Sequence, residues 1–185
     1  MNTSLTVDQI ADYHRHGFLA VEGLLDAAEV AHWRSVVQTS VDNRLATRGV
    51  AGGDDYYRQV FTQCMQLAPD YPNLRELVHD ARLSAMAGTL AGGPDATSGE
   101  GLTALRRWHD QALFKGPYGH PTSWHLDVPF WSFDHPEAIT VWIALDDATY
   151  SNGCLWYLPG THRQATYADT PIGAHMGALF DLYPQ

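Results

Sequence analysis

The chain has 185 residues, of which 45% are apolar and 17% are charged, and this composition predicts one globular domain rather than a disordered chain. Asp and Glu number 21 against 11 Lys and Arg, so the formal net charge is -10. A chain this acidic repels polyanions, which argues against nucleic acid or an anionic membrane surface as a partner.

The sequence shows neither a membrane span nor an export signal. Its longest apolar run, residues 139–145, is far shorter than the about 20 residues that a membrane helix needs. Asp8, Asp12 and Arg15 interrupt the N-terminus before an apolar block forms, so we expect no secretory signal. Two cysteines are too few for a disulfide scaffold, and we therefore expect a protein of the reducing cytoplasm.

Capping signals predict helices in the first third of the chain. Thr6 with Gln9, and Asp26 with Glu29, have the spacing of a capping box, in which each side chain accepts from the other residue's free backbone N–H. Gly17 is expected to end the first helix because glycine adopts the left-handed conformation at little cost.

Apolar spacing predicts the buried faces of these elements. The second helix has a single stripe, consisting of Val30, Trp33, Val37, Val41 and Leu45. Residues 18–21 are expected to form a short buried strand, and residues 54–90 a helical region that prolines divide. Asp80 is expected to cap a helix in this region, whose inner face comprises Leu83, Met86, Ala87 and Leu90.

After Gly101 the pattern changes from helical to alternating. Residues 105–115 predict a strand with polar groups on both faces, and residues 139–145 a strand buried on both sides. Residues 153–158 predict a third strand, which the Pro159-Gly160 turn closes. Helices followed by strands indicate an α+β fold in which helices pack outside a sandwich or barrel.

The tripeptide His125-Leu126-Asp127 carries the clearest chemical signal. On an extended segment, residues two apart point the same way, so the imidazole and the carboxylate can converge on one divalent metal ion. Two histidines and one carboxylate on one face of an octahedron are typical of non-haem Fe(II) oxygenases. The alternative is a histidine at a strand end that simply hydrogen-bonds to Asp127.

The sequence around this tripeptide resembles the phytanoyl-CoA dioxygenase family of Fe(II)- and 2-oxoglutarate-dependent oxygenases. The resemblance is close over about residues 102–163 and rests on five blocks that occur in a fixed order. The blocks are Trp108-His109-Asp110-Gln111 with Lys115, Trp124 to Trp131, Trp142 to Asp147, Asn152 to Trp156, and Leu158 to His162.

The resemblance implies a double-stranded β-helix, the jelly-roll barrel of cupin type. Residues 1–101 would then form a mainly helical buttress, and residues 102–185 the first part of the barrel, within one domain. It implies that His125 and Asp127 are two of three iron ligands. Gln111 and Lys115 would contact 2-oxoglutarate and Trp142 would line the site. The alternatives are a solvated strand face for Gln111 and Lys115 and ordinary packing for Trp142.

The activity implied is hydroxylation of a small organic substrate by O2, with 2-oxoglutarate converted to succinate and CO2. Related halogenases have a small residue where Asp127 stands, so hydroxylation is preferred. Trp124, Phe130 and Trp131 flank the ligand pair and are candidates for an apolar wall around the substrate, with plain packing as the alternative.

The third iron ligand has no convincing candidate. His175 lies at a tolerable distance along the chain but lacks the strand pattern and the following basic residue of the family. Only three or four strands are predicted where a jelly roll needs eight, so we expect a C-terminally truncated oxygenase that binds iron weakly. The competing hypothesis is a truncated barrel that acts as a non-catalytic binding or assembly module. A zinc hydrolase would need a ligand set that the sequence does not offer.

Overall fold

The computed structural model describes residues 1–48, 62–92, 105–133, 135, 137–164 and 174–183. The helices and strands within these residues are, in chain order, α1 (Val7–His16), α2 (Ala27–Arg48), β1 (Thr62–Met65), α3 (Pro72–Val78), α4 (Ala81–Ala91), β2 (Gln111–Phe114) and α5 (Ala178–Leu182). Short 3-10 turns lie at Val128–Phe130 and Thr161–Arg163. Helix α1 packs on α4, and α2 packs on α3.

The predicted helix caps are confirmed. The Gln9 backbone N–H donates to the Thr6 hydroxyl at 3.2 Å, and the Thr6 N–H donates to the Gln9 side chain at 2.9 Å. Asp26 and Glu29 form the same reciprocal pair at 2.8 and 3.1 Å. Helix α1 ends at Gly17, whose φ is +85°. Each of these interactions joins residues close in sequence, so the local pattern is sufficient to predict them.

The hydrophobic core lies between α2, α3, α4 and the sheet. The buried residues in contact there are Val37, Val41, Cys64, Leu67, Leu74, Leu77, Leu83, Met86 and Ala112. Four of the five residues of the predicted stripe of α2 face this core: Val37 and Val41 are buried in it, and Trp33 and Leu45 pack at its edge. Val30, the first residue of the predicted stripe, is half-buried and is not part of this core. The predicted inner face of α4 is buried at all four of its positions, and Asp80 caps that helix.

The sheet described consists of β1 and β2 in antiparallel pairing, with Cys64 opposite Ala112. The predicted strand over residues 105–115 is correct only for Gln111–Phe114. The prediction of helix throughout residues 54–90 is wrong at β1, while residues 54–61 lie outside the described part of the chain. Strand β1 forms because its backbone groups hydrogen-bond to β2. Since β2 lies far along the sequence, local periodicity does not reveal this partner.

Three predicted strands are wrong. Residues 18–21, 139–145 and 153–158 form no regular strand. Burial of residues 139–145 on both sides is also wrong, because Val141 and Trp142 are 41% and 43% exposed, although Ile143 and Leu145 pack on the core. Alternation selects a face, but a strand also needs a partner for its backbone groups. The jelly-roll barrel and the division of the domain near residue 101 stay predictions.

Across the described ranges, no helix combines the length and the apolar character that crossing a bilayer requires.

Candidate metal centre

Contacts fix the chain just before and just after the His-x-Asp tripeptide. Ser123 is buried, and the Trp124 backbone N–H donates to the Met176 carbonyl at 3.2 Å. The Trp124 ring packs against Phe180 of α5, with ring centroids 5.8 Å apart. The chain turns immediately after Asp127, where the Phe130 N–H donates to the Asp127 carbonyl at 2.9 Å. His125 therefore precedes, and Asp127 begins, a change of chain direction.

His125 and Asp127 lie side by side. Their Nε2 and Oδ1 atoms are 3.4 Å apart, and both side chains reach solvent, at 30% and 53% exposure. The other ring nitrogen of His125, Nδ1, lies 2.8 Å from the Ser123 carbonyl, to which its N–H donates. This hydrogen bond selects the tautomer in which Nε2 carries a free lone pair, the arrangement found in metal-binding histidines.

The charge of Asp127 acts on the imidazole. Asp127 raises the pKa of His125 above its usual value, burial opposes this shift, and the Ser123 carbonyl adds to it. In the metal-free chain the pair is therefore a weak ion pair when His125 is protonated. The neutral imidazole becomes a ligand once the proton is lost.

A pair at this distance fits two neighbouring positions of an octahedral ion. Metal–ligand bonds of about 2.1 Å that meet at a right angle separate the two donor atoms by about 3.0 Å. The observed 3.4 Å needs only a small side-chain adjustment to match. Nitrogen and carboxylate oxygen donors together suit a divalent transition metal such as iron.

The described ranges contain no group of three His, Cys, Asp or Glu side chains able to share a metal ion. His175 is 71% exposed and its nearest acidic partner is Asp181, with Nδ1 and Oδ2 4.0 Å apart. The structure thus brings two of the predicted ligands together and does not add His175 to them.

The residues predicted to contact 2-oxoglutarate have other partners in the structure. The Gln111 side-chain carbonyl accepts from the Gln63 amide at 2.7 Å, across the exposed face of the sheet. The stem of Lys115 lies over Gly153, where a Cβ would come within 3.1 Å of its Cδ atom. Trp142 is half-exposed. These contacts do not place the three side chains beside the His125–Asp127 pair, and their roles stay predictions.

An aromatic cluster, which consists of Trp108, Trp131 and Phe133, includes two rings from the segment that follows Asp127. Trp131 and Phe133 stack with their centroids 5.3 Å apart, and Trp108 meets both rings edge-on. The Trp108 ring also packs on His109 at 4.1 Å. Of the predicted wall residues, Trp131 joins this cluster, Trp124 packs on α5, and Phe130 is 47% exposed.

Two titratable side chains that the sequence analysis did not single out respond to the charge of Asp127. Burial lowers the pKa of His109, and the carboxylates of Asp110 and Asp127 oppose that shift. Burial also raises the pKa of Tyr157, with the charge of Asp127 adding to the rise. Both side chains therefore lie within electrostatic reach of Asp127. No spacing rule joins them to Asp127, because they come from separate parts of the chain.

Comparison with known proteins identifies a family whose model matches most of the chain. Residues 13–175 match the family model described as phytanoyl-CoA dioxygenase (PhyH). Phytanoyl-CoA dioxygenase domain-containing protein 1 of Mus musculus is 25% identical over 86% of this chain and 66% of its own length. Ectoine dioxygenase of Bordetella parapertussis is 29% identical over 87% of this chain and 51% of its own length.

A shorter match concerns a relative whose name includes a cosubstrate. A probable alpha-ketoglutarate-dependent hypophosphite dioxygenase of Stutzerimonas stutzeri is 36% identical over 34% of this chain and 22% of its own length. The chain thus spans about two thirds of the mouse relative and about half of the ectoine dioxygenase. No solved structure matches the chain. Because the family model covers most of its residues, the chain belongs to the phytanoyl-CoA dioxygenase (PhyH) family.

Proposed function

We propose that this chain forms the iron-binding part of an Fe(II)- and 2-oxoglutarate-dependent dioxygenase that hydroxylates a small organic substrate. The observation that carries the proposal is the juxtaposition of His125 Nε2 and Asp127 Oδ1 at 3.4 Å. The name of the Stutzerimonas relative supports 2-oxoglutarate as the cosubstrate. The relatives are named for different substrates, and these names support small molecules as the substrate class.

In this proposal His125 and Asp127 hold two neighbouring positions on the metal, and the third ligand comes from outside the described residues. The Ser123 carbonyl keeps the proton on Nδ1 of His125, so that Nε2 faces the metal. Asp127 supplies negative charge that partly neutralises the cation. Iron with bound 2-oxoglutarate would supply the oxidising power for cleavage of a substrate C–H bond by O2.

The protein's own task is then to orient the substrate and to exclude water. We propose that the substrate packs against the apolar cluster of Trp108, Trp131 and Phe133, two of whose rings follow the ligand pair in the chain. Gln111 and Lys115 are proposed, from the family resemblance, as donors to the carboxylates of 2-oxoglutarate. For this role the N–H groups of the Gln111 side chain must be available to the ligand. The hydrogen bond with Gln63 leaves them available, because it uses only the side-chain carbonyl of Gln111.

A paramagnetic titration tests the metal site directly. Substoichiometric Mn2+ added to the isotope-labelled chain should broaden the NMR signals of residues around His125 and Asp127, even if affinity is low. The broadening should disappear in His125→Ala and Asp127→Ala. Matched controls are His32→Ala and Asp42→Ala on the exposed face of α2, which should broaden as the unmodified chain does.

A second measurement tests the cosubstrate. Anaerobic addition of Fe(II) and 2-oxoglutarate should produce a visible charge-transfer absorption that requires both His125 and Asp127. Broadening that is not localised, together with no absorption, would refute the proposal and favour the non-catalytic binding module. Localised broadening without absorption would retain the metal site and remove 2-oxoglutarate from the proposal.

A further inference from the structure

Lys115 is the single lysine of a chain whose other permanently charged cationic side chains are all arginines. It directly follows Phe114, the last residue of β2, and its side chain is exposed. Within the described ranges, no carboxylate forms an ion pair with its ammonium group. This positive charge is therefore available to an anionic ligand.

The stem of Lys115 runs across the backbone of Gly153. A Cβ atom built on Gly153 would lie 3.1 Å from the Cδ, 3.9 Å from the Cε and 3.7 Å from the Nζ atom of the lysine. The outer three atoms of the side chain thus follow the glycine instead of extending away from it. Carbon atoms in ordinary van der Waals contact are about 3.5–4.0 Å apart, so a Cβ at this position would displace the stem.

The turn that contains Gly153 is fixed by its own hydrogen bonds. The Asn152 side-chain oxygen accepts from the Thr149 N–H at 2.6 Å, and the Asn152 amide donates to the Asp147 carbonyl. The Thr149 carbonyl also accepts from the N–H groups of Asn152 and Cys154, at 3.1 and 3.2 Å. Gly153 has φ of +94°, a conformation that side chains disfavour. The lysine stem therefore lies on a surface of defined position.

The contact with Gly153 affects how Lys115 can bind an anion. Lysine has a flexible four-carbon stem, so an ammonium group that becomes ordered only on binding loses rotamer freedom at that moment. A stem that already lies along Gly153 has lost part of this freedom before the ligand arrives. Preorganisation of this kind increases affinity.

We propose that Gly153 is a positioning residue for Lys115, whose stem rests on the bare glycine backbone so that the ammonium group is already placed to receive a carboxylate of 2-oxoglutarate. This inference rests on the proposed function, because only there does Lys115 bind the cosubstrate. It gives the turn at residues 147–154 a task at the site, which the turn performs through the lysine.

The first measurement tests the contact without metal or cosubstrate. Because the chain has one lysine, growth on 13C-labelled lysine gives NMR signals from the Lys115 side chain alone. A 13C-filtered NOE spectrum should show contact between these side-chain protons and the Hα protons of Gly153. Absence of this NOE in the folded chain overturns the inference and leaves the proposed metal site at His125 and Asp127 unaffected.

Two substitutions at Gly153 separate the contact from backbone strain. Gly153→Ala and Gly153→Asn both add a Cβ against the lysine stem, but Asn tolerates a positive φ better than Ala does. Both variants should shift the Lys115 signals by similar amounts, whereas Gly153→Ala should have the lower midpoint of urea unfolding. Gly23→Ala is the matched control, because Gly23 has φ of +67° and the space around an added Cβ is open to 4 Å within the described structure. It should lose stability without changing the Lys115 signals.

The second measurement tests the consequence for the cosubstrate. Isothermal titration calorimetry measures the affinity for 2-oxoglutarate, with Zn2+ as a substitute for Fe(II) that does not react with O2. Gly153→Ala and Gly153→Asn should bind 2-oxoglutarate about three- to tenfold more weakly, the scale expected when one flexible side chain is no longer held in advance. Gly23→Ala should bind it as the unmodified chain does.

A double substitution shows whether Gly153 acts through the lysine. Lys115→Met should weaken 2-oxoglutarate binding by itself, because the positive charge is lost. Gly153→Ala added to Lys115→Met should weaken it no further. A merely structural role of Gly153 would lower the affinity by the same factor with Lys115 present or replaced.

The outcomes separate this inference from the proposed function. If both Gly153 variants bind 2-oxoglutarate like the unmodified chain, or if Gly153→Ala has the same effect in Lys115→Met, the inference is wrong and the proposed function stands. If the unmodified chain binds no 2-oxoglutarate in the presence of Zn2+, the cosubstrate part of the proposed function and the inference are both wrong. If Gly153→Ala does not fold, Gly153→Asn decides in its place.

Discussion

Gly17 lies directly against the imidazole of His162. A Cβ atom added at Gly17 would lie 2.3 Å from Nδ1 and 2.5 Å from Cγ of that ring. Gly17 also has φ of +85°, a conformation that side chains disfavour. The end of α1 and the turn after Pro159 therefore meet at a position where glycine is required for two independent reasons.

Replacing Gly17 should destabilise the fold measurably. Gly17→Ala introduces a strained backbone conformation, which costs about 1–2 kcal/mol, and adds a clash with His162. Urea unfolding should show the loss as a lower midpoint. Gly17→Ala combined with His162→Ala should recover the part that the clash contributes and not the backbone part. Full stability of Gly17→Ala alone would contradict the close contact.

Asp110 should be one of the most sensitive positions for stability. Its carboxylate accepts from the backbone N–H groups of Leu67 and Ala68, at 2.8 and 3.0 Å, and pairs with Arg107. Leu67 and Ala68 are fully buried, so Asp110→Ala leaves donors without a partner and without water. We expect a loss of about 3 kcal/mol in the free energy of unfolding.

Asp110→Asn is the matched control for this position. The Asn side chain keeps one oxygen for the backbone donors and loses the charge, so a smaller loss is expected. Equal effects of the two variants in urea unfolding would show that the charge on Asp110, rather than its hydrogen bonds to residues 67 and 68, holds this region.

The cap of α4 should contribute to stability in a pH-dependent way. Hydrogen bonds from the Arg82 side chain, and then from the backbone of Arg82 and Leu83, lower the pKa of Asp80 below its usual value against the effect of burial. A lowered folded-state pKa means that the contribution is complete above the unfolded value of about 3.9 and is lost as the pH falls through the folded value.

Two substitutions separate the cap from the charge. Asp80→Ala should cost about 1 kcal/mol at neutral pH, because the N–H groups of the first turn lose their acceptor. Asp80→Asn should keep most of the cap, since Asn is an equally good N-cap residue, and should lose the dependence on acid pH. Urea unfolding from pH 7 to pH 3 checks both. A cap contribution that persists unchanged in acid would contradict the assigned role of the charge.

The titration of His125 in the metal-free chain should depend on Asp127. The carboxylate raises the pKa of His125, so Asp127→Asn should lower it towards the usual histidine value. The NMR shift of the His125 ring proton against pH measures this directly. Asp146→Asn is the control, because Asp146 pairs with Arg34 on α2 and should leave His125 unchanged. An identical His125 titration in Asp127→Asn would show that the two side chains do not interact in solution.

The sequence predicted those features whose physical cause is local. The capping pairs Thr6 with Gln9 and Asp26 with Glu29 formed as expected, because a hydrogen bond across three residues depends on little beyond those residues. The proximity of His125 and Asp127 also joins residues only two apart, although Asp127 lies at a bend with helical φ and ψ and not on the extended segment that the prediction assumed. Metal binding by this pair stays a prediction.

Tertiary structure alone decided where strands form and which distant aromatic rings pack together. Strand β1 exists because β2 offers hydrogen bonds to it, whereas the alternating residues 139–145 form no strand. Phe18 and Tyr157 stack on each other although they lie far apart in the chain. Sequence periodicity predicts which face of a segment is apolar. Which other segment covers that face, and whether a strand forms there, depends on the free energy of packing the whole chain.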